Sequence, residues 1–264
     1  MAKLGLTLFI IFASAGILAD VVSPYDPWER FEPFAAPSTS HWLGTNDIGN
    51  DVLSELIHGT RVSILVGLGT ALIATLIGVL VGITSGYFRG YADEFLMAAT
   101  DVVLMVPRIP LVIMIVAFTR PSYWIIMMVL GLVWWTTTAR VVRSKTLQVR
   151  EMPFVTGNRS MGFSHAYILV SDITPNILHV VSSKFVLTVA SAMISEASLS
   201  FLGLGDPSVK SWGTMIRYAL ERGGLVNEMW WWCLPPGVCI TMCVLSIVLI
   251  GYNFERDVTE ITVE

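Results

Sequence analysis

Apolar residues in this chain do not follow a single helical face or a two-residue alternation. They gather into long blocks separated by polar, Pro-rich or charged stretches. A bilayer core about 30 Å thick needs about 20 apolar residues per helix. Six blocks qualify: Leu4–Val22, Val62–Gly86, Glu94–Phe118, Tyr123–Val142, Ile177–Leu202 and Leu234–Tyr252. The pattern predicts an all-α polytopic membrane protein with six transmembrane helices. Lys3 precedes the first block, as it would in a signal peptide, but no small-x-small cleavage site closes the run, so a retained helix is expected. The resulting division is 1–22 as the first transmembrane helix, 23–61 as an extracytoplasmic segment, and 62–264 as a five-helix core containing a cytoplasmic loop at 143–176.

The polar stretches orient the blocks. Arg140, Arg143, Lys145, Arg150 and Arg159 crowd the segment between the fourth and fifth blocks, which the positive-inside rule places in the cytoplasm. An even number of spans then puts both termini inside, in agreement with Lys3, Arg89 and Arg256. The 23–60 stretch falls outside and carries Asp26, Glu29, Glu32, Asp47, Asp51 and Glu55 against Arg30. The other outer stretch, 203–233, runs against the bias with Lys210, Arg217 and Arg222. Ile48, Val52, Leu53 and Leu56 recur at near-helical spacing, which predicts a short amphipathic helix over Asp47–Ile57 on the outer surface. Trp230, Trp231 and Trp232 are expected at the membrane interface.

Composition narrows the classes. The apolar AVILMFWYC set makes up 54% of the 264 residues and charged residues 14%, with a formal net charge of −4. Soluble domains carry about 25% charged residues. With a mean hydropathy of +0.70, these values exclude a soluble enzyme, a disordered chain and a nucleic-acid binder. Cys233, Cys239 and Cys243 make no disulfide framework, and no ligand set for a metal accompanies them. No lysine follows a glycine, so there is no phosphate-binding P-loop, and HExxH, CxxC and GxSxG are absent. His41, His58, His165 and His179 are scattered. No catalytic residue, metal site or bound cofactor is expected on this chain.

Ionisable residues inside apolar blocks are costly, about 2.5–3.5 kcal/mol each on insertion scales, and therefore need a reason. Asp101 and Arg108 stand seven apart in the third block, on a similar helical face, and Glu196 lies in the fifth. Each either hydrogen-bonds at a helix–helix contact or lines a pathway. Pro107 and Pro110 predict a kink or break beside Arg108, and irregular backbone at that depth must be buried in protein or line a cavity. Gly78 and Gly82 form a GxxxG pair that serves either internal packing or docking of another subunit. The stretch from Arg140 to Asn176 is too long for a simple helix connection. It reads as short helices interrupted at Pro153, Gly157, Gly162 and Pro175, either a docking surface for a cytoplasmic protein or a positive-inside anchor.

Those residues resemble the inner-membrane permease subunits of ABC importers, and more narrowly the second (C-type) permease of the oligopeptide/dipeptide/nickel group. In that group's coupling loop, R-E-x-x-F-V-E-A-A-R-A-L-G-A-S, the positions Arg150, Glu151, Phe154, Val155, Arg159, Gly162 and Ser164 match, and Pro175-Asn176 follow. Thr156, Gly157 and Asn158 replace the usual Glu-Ala-Ala, and Asp172 and Thr174 replace the His and Leu before the proline. Residues 196–205, EASLSFLGLG, are similar to the family's fifth span and following turn, with Ser211-Trp212-Gly213 beyond. Residues 42–63 resemble its outer segment, and Gly86-Tyr87-Phe88 with Gly90 its GYFGG turn.

The resemblance implies an ABC type I importer permease fold and the import of peptides, or of nickel or oligosaccharides through the same architecture. It implies a sister B-type permease, two cytoplasmic ATPases that bind ATP and Mg, and an extracytoplasmic substrate-binding protein. It places the ATPase contact at Arg150, Glu151, Phe154, Val155, Thr156, Gly157, Asn158, Arg159, Gly162 and Ser164. Asp101, Arg108, Glu196, Ser200, Gly203 and Gly205 are the candidates for pathway or gate. An ATPase-independent channel or secondary transporter is the alternative from another class. It predicts internal inverted repeats, and none is visible.

Overall fold

The computed structural model describes residues 2–261, with side chains from 3 to 252. The Arg256 side chain, used for orientation, lies outside the described residues. Apart from an isolated bridge between Thr45 and Asp51, the described residues are helical or irregular. The helices are α1 (Ala2–Ile17), α2 (Ala19–Val22), α3 (Val52–Phe88), α4 (Gly90–Met105), α5 (Arg108–Ala117), α6 (Tyr123–Arg150), α7 (Pro153–Ser160), α8 (His165–Tyr167), α9 (Thr174–Leu199), α10 (Trp212–Glu221) and α11 (Trp230–Ile261). Wider π-helical turns, Ile168–Ile173 and Ser200–Leu204, extend both ends of α9.

Four of these segments are long and apolar enough to cross a membrane alone, and α4 with α5 makes a fifth if the bent pair counts as one span. The first block is divided between α1, which has 16 residues and is about 24 Å long, and the short α2. The helix expected over Asp47–Ile57 is not a separate element. Asp51 caps the start of α3 by accepting from the Ser54 amide at 2.9 Å, and the helix then runs unbroken for 37 residues. At about 1.5 Å per residue it is roughly 55 Å long and projects well beyond a bilayer core. Likewise α6 carries the helix through Arg150, so 143–150 is not loop. Of the four expected interruptions, Pro153 stands at the start of α7 and Gly162 lies just past its end. Gly157 sits inside α7 and Pro175 inside α9, because α7 tolerates a glycine and proline fits a first helical turn.

The third block does break. Val106 and Pro107 take extended backbone, and α5 leaves α4 at 77°. Proline removes an amide donor and restricts the residue before it to extended conformations. Asp101 and Arg108 therefore do not share a helical face.

The centre of the bundle is the α3–α6 pair. A Cβ at Gly78 would come within 2.6 Å of Thr138, one at Gly82 within 2.6 Å of the Ala139 carbonyl, and one at Gly86 within 2.8 Å of Thr146. Only hydrogen fits at these three positions. The Gly78/Gly82 pair thus serves packing inside the chain. Three apolar clusters follow one another along the bundle. One joins Val52, Trp212 and Trp232, the second Val66, Leu130 and Leu199, the third Tyr87, Val149, Val155 and Ile168. Trp232 is fully buried in the first cluster, while Trp230 is exposed, so the three tryptophans do not form one interfacial belt.

At the α10 end, Lys210 forms a buried ion pair with Glu55 at 2.5 Å, donates to Asn50 at 3.1 Å and stands 3.9 Å over the Trp28 ring. Arg222 pairs with Asp47 and Arg217 with Glu221. Each basic residue that ran against the charge bias of 203–233 is thus matched by an acid. Ser211 and Thr214 form a capping box that starts α10, a helix signalled in sequence by S-x-x-T and the apolar spacing of Trp212, Met215 and Ala219.

Candidate coupling surface and translocation path

The segment 150–164 folds as an elbow and a short helix beneath the bundle. Met152 is extended, Pro153 opens α7, and Val155 points into the third cluster beside Tyr87, Val149 and Ile168. That single buried side chain fastens α7 to the bundle. Gly162 ends it at φ +83°, a conformation glycine adopts without penalty. The Ser164 hydroxyl then caps α8 by accepting from the Tyr167 amide at 3.2 Å.

The expected contact residues divide into two groups. Glu151 pairs with Arg89 at 2.6 Å, the Arg150 guanidinium stands 5.9 Å from the Tyr87 ring, and the Asn158 amide donates to Asp172 at 2.9 Å. These three, with Val155, are engaged with the chain itself. Phe154, Thr156, Arg159, Gly162 and Ser164 are exposed, and Gly157 is partly so, with open space where a Cβ would stand. Thr156 turns its hydroxyl back to the Pro153 carbonyl at 3.1 Å. The exposed face also carries Met161, Phe163 and Tyr167, the latter two rings stacked at 4.8 Å. The result is an apolar patch around a single cation, Arg159, at a polar end of the bundle.

Arg89 was not among the expected site residues. It stands where the GYFGG turn has glycine, and its backbone, φ 57° and ψ −165°, belongs to a region glycine occupies freely and other residues do not. Its side chain reaches across to Glu151. The signal in sequence was that one departure from the turn motif.

The six pathway candidates also separate. Four meet in one knot. Glu196 is buried and accepts from Ser200 at 2.7 Å and from Ser63 of α3 at 3.3 Å. Gly203 adopts φ +90° with the Arg217 guanidinium where a Cβ would be, and a Cβ on Gly205 would come within 2.6 Å of the Ser200 hydroxyl. Glu196, Ser200, Gly203 and Gly205 hold α3, α9 and α10 together inside the subunit. Asp101 pairs with Arg140 of α6 at 2.6 Å, on a face that leaves both half-exposed. A cleft of about 340 Å³ opens there, lined by Met97, Asp101, Arg140 and Arg143. Arg108 lies past the break. Lys184, near the middle of α9, is a further half-buried cation that the hydropathy blocks passed over. Among the described residues, no group of three His, Cys, Asp or Glu is placed to hold a metal.

Long apolar helices, one broken at membrane depth, with a small helix tethered across the end of the bundle, define a polytopic membrane transport subunit. Residues 78–259 match the family of binding-protein-dependent transport system inner membrane components, and the chain belongs to that family. It is 32% identical over 261 residues to the oligopeptide transport system permease protein OppC of Bacillus subtilis (strain 168), covering 97% of this chain and 85% of that one. It is 37% identical over 243 residues to OppC of Mycobacterium bovis, covering 90% and 83%. A putative peptide permease of Brucella suis biovar 1 is 32% identical over 253 residues, covering 95% and 83%. Among solved structures, a chain of the MetNI methionine ABC transporter superimposes with a TM-score of 0.60 at 16% identity, covering 78% of this chain and 95% of that one. That likeness establishes the fold, that of an ABC importer permease.

Proposed function

We propose that this chain is the second, C-type permease of an ATP-driven importer of peptides, paired with a B-type sister permease. In this reading six spans cross the membrane and both termini are cytoplasmic. Two cytoplasmic ATPases bind ATP and Mg, and an extracytoplasmic binding protein delivers the peptide. The peptide passes between the two permeases chemically unchanged. Relatives named as peptide permeases, similar along nearly the whole chain, support the substrate class.

The observation that carries the coupling role is the exposed face of α7 and the turn after it. An apolar patch with one cation suits a groove on a soluble partner, where Arg159 makes charge-assisted hydrogen bonds to a carboxylate. Phe154 and Met161 then bury apolar area. Movement of the ATPases is passed to the bundle through Val155, the Glu151–Arg89 pair and the Asn158–Asp172 hydrogen bond. The acid usual at position 156 is replaced by a threonine whose hydroxyl donates to the Pro153 carbonyl of its own helix, so docking rests on shape and on Arg159.

The test is the double variant Arg159→Ala/Gly162→Val in the assembled importer. Val at φ +83° breaks the turn that orients the face. ATP-driven uptake is expected to be abolished while the bundle still inserts. Normal uptake by the double variant would sink the coupling assignment.

A further inference from the structure

The first span is seated on the bundle toward its two ends. A Cβ at Gly5 would come within 2.6 Å of the Ser246 carbonyl and 2.9 Å of Leu249 in α11, and one at Gly16 within 3.2 Å of the Arg61 amide in α3. Between these seats a cleft of about 220 Å³ opens beside α1. Leu6 and Phe9 of α1, Leu68 of α3, Val186 of α9, and Ile247 and Ile250 of α11 form its walls, which present hydrocarbon only. Leu6 and Leu68 are exposed, so the cleft opens at the bundle surface and is not a sealed cavity.

The occupant follows from the depth of the cleft and from the charge at its mouth. The walls belong to helices inside the apolar blocks, so the surrounding solvent is acyl chain and not water. A water there would find none of the polar partners it needs, and an empty cleft leaves its lining without dispersion contacts. Lys3 stands one turn before Leu6 and so shares its face of α1. It is exposed, and helical side chains lean toward the helix N-terminus, which carries its ammonium out of the apolar run. The level is that of lipid headgroups. Gly5 lies against Ile250, 3.3 Å from where its Cβ would be. Two residues beyond Ile250 stands Tyr252, 60% exposed, an aromatic of the kind enriched at membrane interfaces. A lysine at that height makes charge-assisted hydrogen bonds to phosphate.

We propose that this cleft holds one acyl chain of an anionic phospholipid, whose phosphate is met by Lys3 at the mouth. The acyl chain fills the gap between α1 and α9 and supplies the contacts that protein does not. The lysine selects an anionic headgroup over a zwitterionic one, because no ammonium of the lipid competes with it for the phosphate. The first span is thus fastened to α3, α9 and α11 in part by lipid, whatever substrate the importer carries.

The test uses the complete importer in phosphatidylcholine vesicles containing a trace of photoreactive lipid. The probe carries a diazirine midway along one acyl chain and either a phosphatidylglycerol or a phosphatidylcholine headgroup. Cross-links are mapped by mass spectrometry of the digested chain. Labelling is expected to concentrate on Leu6, Phe9, Val186 and Ile247. The glycerol lipid should label them about fivefold more than the choline lipid at equal mole fraction, the scale of one lysine at an anionic surface. In Lys3→Gln that ratio falls toward one while the cleft is still labelled. In Leu68→Trp, whose indole fills the cleft, labelling by both lipids is lost. A wild-type ratio near one overturns the proposal, and this needs no variant to fold. So does labelling no denser in the cleft than on the exposed Leu72 and Leu76 of α3. Retention of the full ratio by Lys3→Gln also overturns it. An unlabelled cleft in the complex means that a neighbouring subunit covers it, and overturns the lipid reading.

Discussion

The α3–α6 seam and the α4–α5 broken span are built on opposite principles. In the seam, three glycines of α3 lie against Thr138, Ala139, Val142 and Thr146 of α6 so closely that no side chain can be added. Within a bilayer, apolar side chains gain nothing by leaving lipid for protein, and close backbone packing supplies the association instead. In α4 only Thr100 is buried, while Tyr91, Phe95, Val102 and Met105 are left uncovered by their own chain. Two ion pairs to α6 hold it: Asp93 with Arg143, bidentate at 2.6 Å, and Asp101 with Arg140. A steric seam has one seating. A helix held by ion pairs can be re-seated when its neighbours change, and a transport subunit needs both kinds of element.

That contrast predicts an order of sensitivity. The largest effect is expected from Gly82→Leu, whose Cβ would meet the Ala139 carbonyl at 2.6 Å and Val142 at 2.7 Å. Backbone cannot yield as a side chain can, and the cost is about 3 kcal/mol or more. Thermal unfolding of the purified chain in mild detergent should show a markedly lowered midpoint, or the chain should fail to accumulate. A near-wild-type midpoint would show that the seam separates without loss, and the contrast would collapse. By comparison Val102→Leu on α4, at an uncovered position, is expected to leave the midpoint unchanged.

Next in size is Asp93→Asn. Asp93 is 16% and Arg143 32% exposed, so the bidentate pair is shielded, and losing its charge costs about 1–2 kcal/mol. Asp101→Asn should cost less than about 1 kcal/mol, because Asp101 and Arg140 are both about half-exposed, at 51% and 53%. The same melts check both. Equal effects in the isolated chain would mean that solvent exposure does not set the worth of these two pairs.

Four long helices and the bent pair were legible because a run of about 20 apolar residues is a direct statement about solvent, and the break at Pro107 because proline's lost amide is local chemistry. The helix ends were not. Val52–Arg61 and Arg143–Arg150 are too polar for hydropathy to register, yet they continue α3 and α6 by backbone hydrogen bonding, which hydropathy does not weigh. Lys184 was hidden by the apolar residues on either side of it. Which of the candidate coupling residues are tied back to the bundle was not legible either. Glu151 and Asn158 are tied to the bundle by Arg89 and Asp172, and neither pairing has a signature in spacing. Glu196, suspicious as a lone acid in an apolar run, owes its place to Ser63, which is 133 residues away.

The smallest effect expected is also the most discriminating. Arg89 is held at φ 57°, ψ −165°, which costs a non-glycine residue about 1–3 kcal/mol. Its half-exposed pair with Glu151 returns no more than about 1 kcal/mol. On stability alone glycine should be the better residue, and Arg89→Gly is expected to raise the unfolding midpoint slightly. Yet the arginine ties the α3–α4 turn, from which the loosely held span begins, to the elbow that positions α7. Arg89→Gly should therefore leave the chain as stable as wild type or more so, while ATP-driven uptake falls about two- to fivefold, the kinetic equivalent of up to 1 kcal/mol. Arg89→Ala keeps the backbone strain and loses the pair, and should be worse on both counts. If glycine stabilises the chain with uptake unchanged, the ion pair carries no motion between α7 and α4, and the broken span takes its signal from α6 through Arg143 and Arg140 instead.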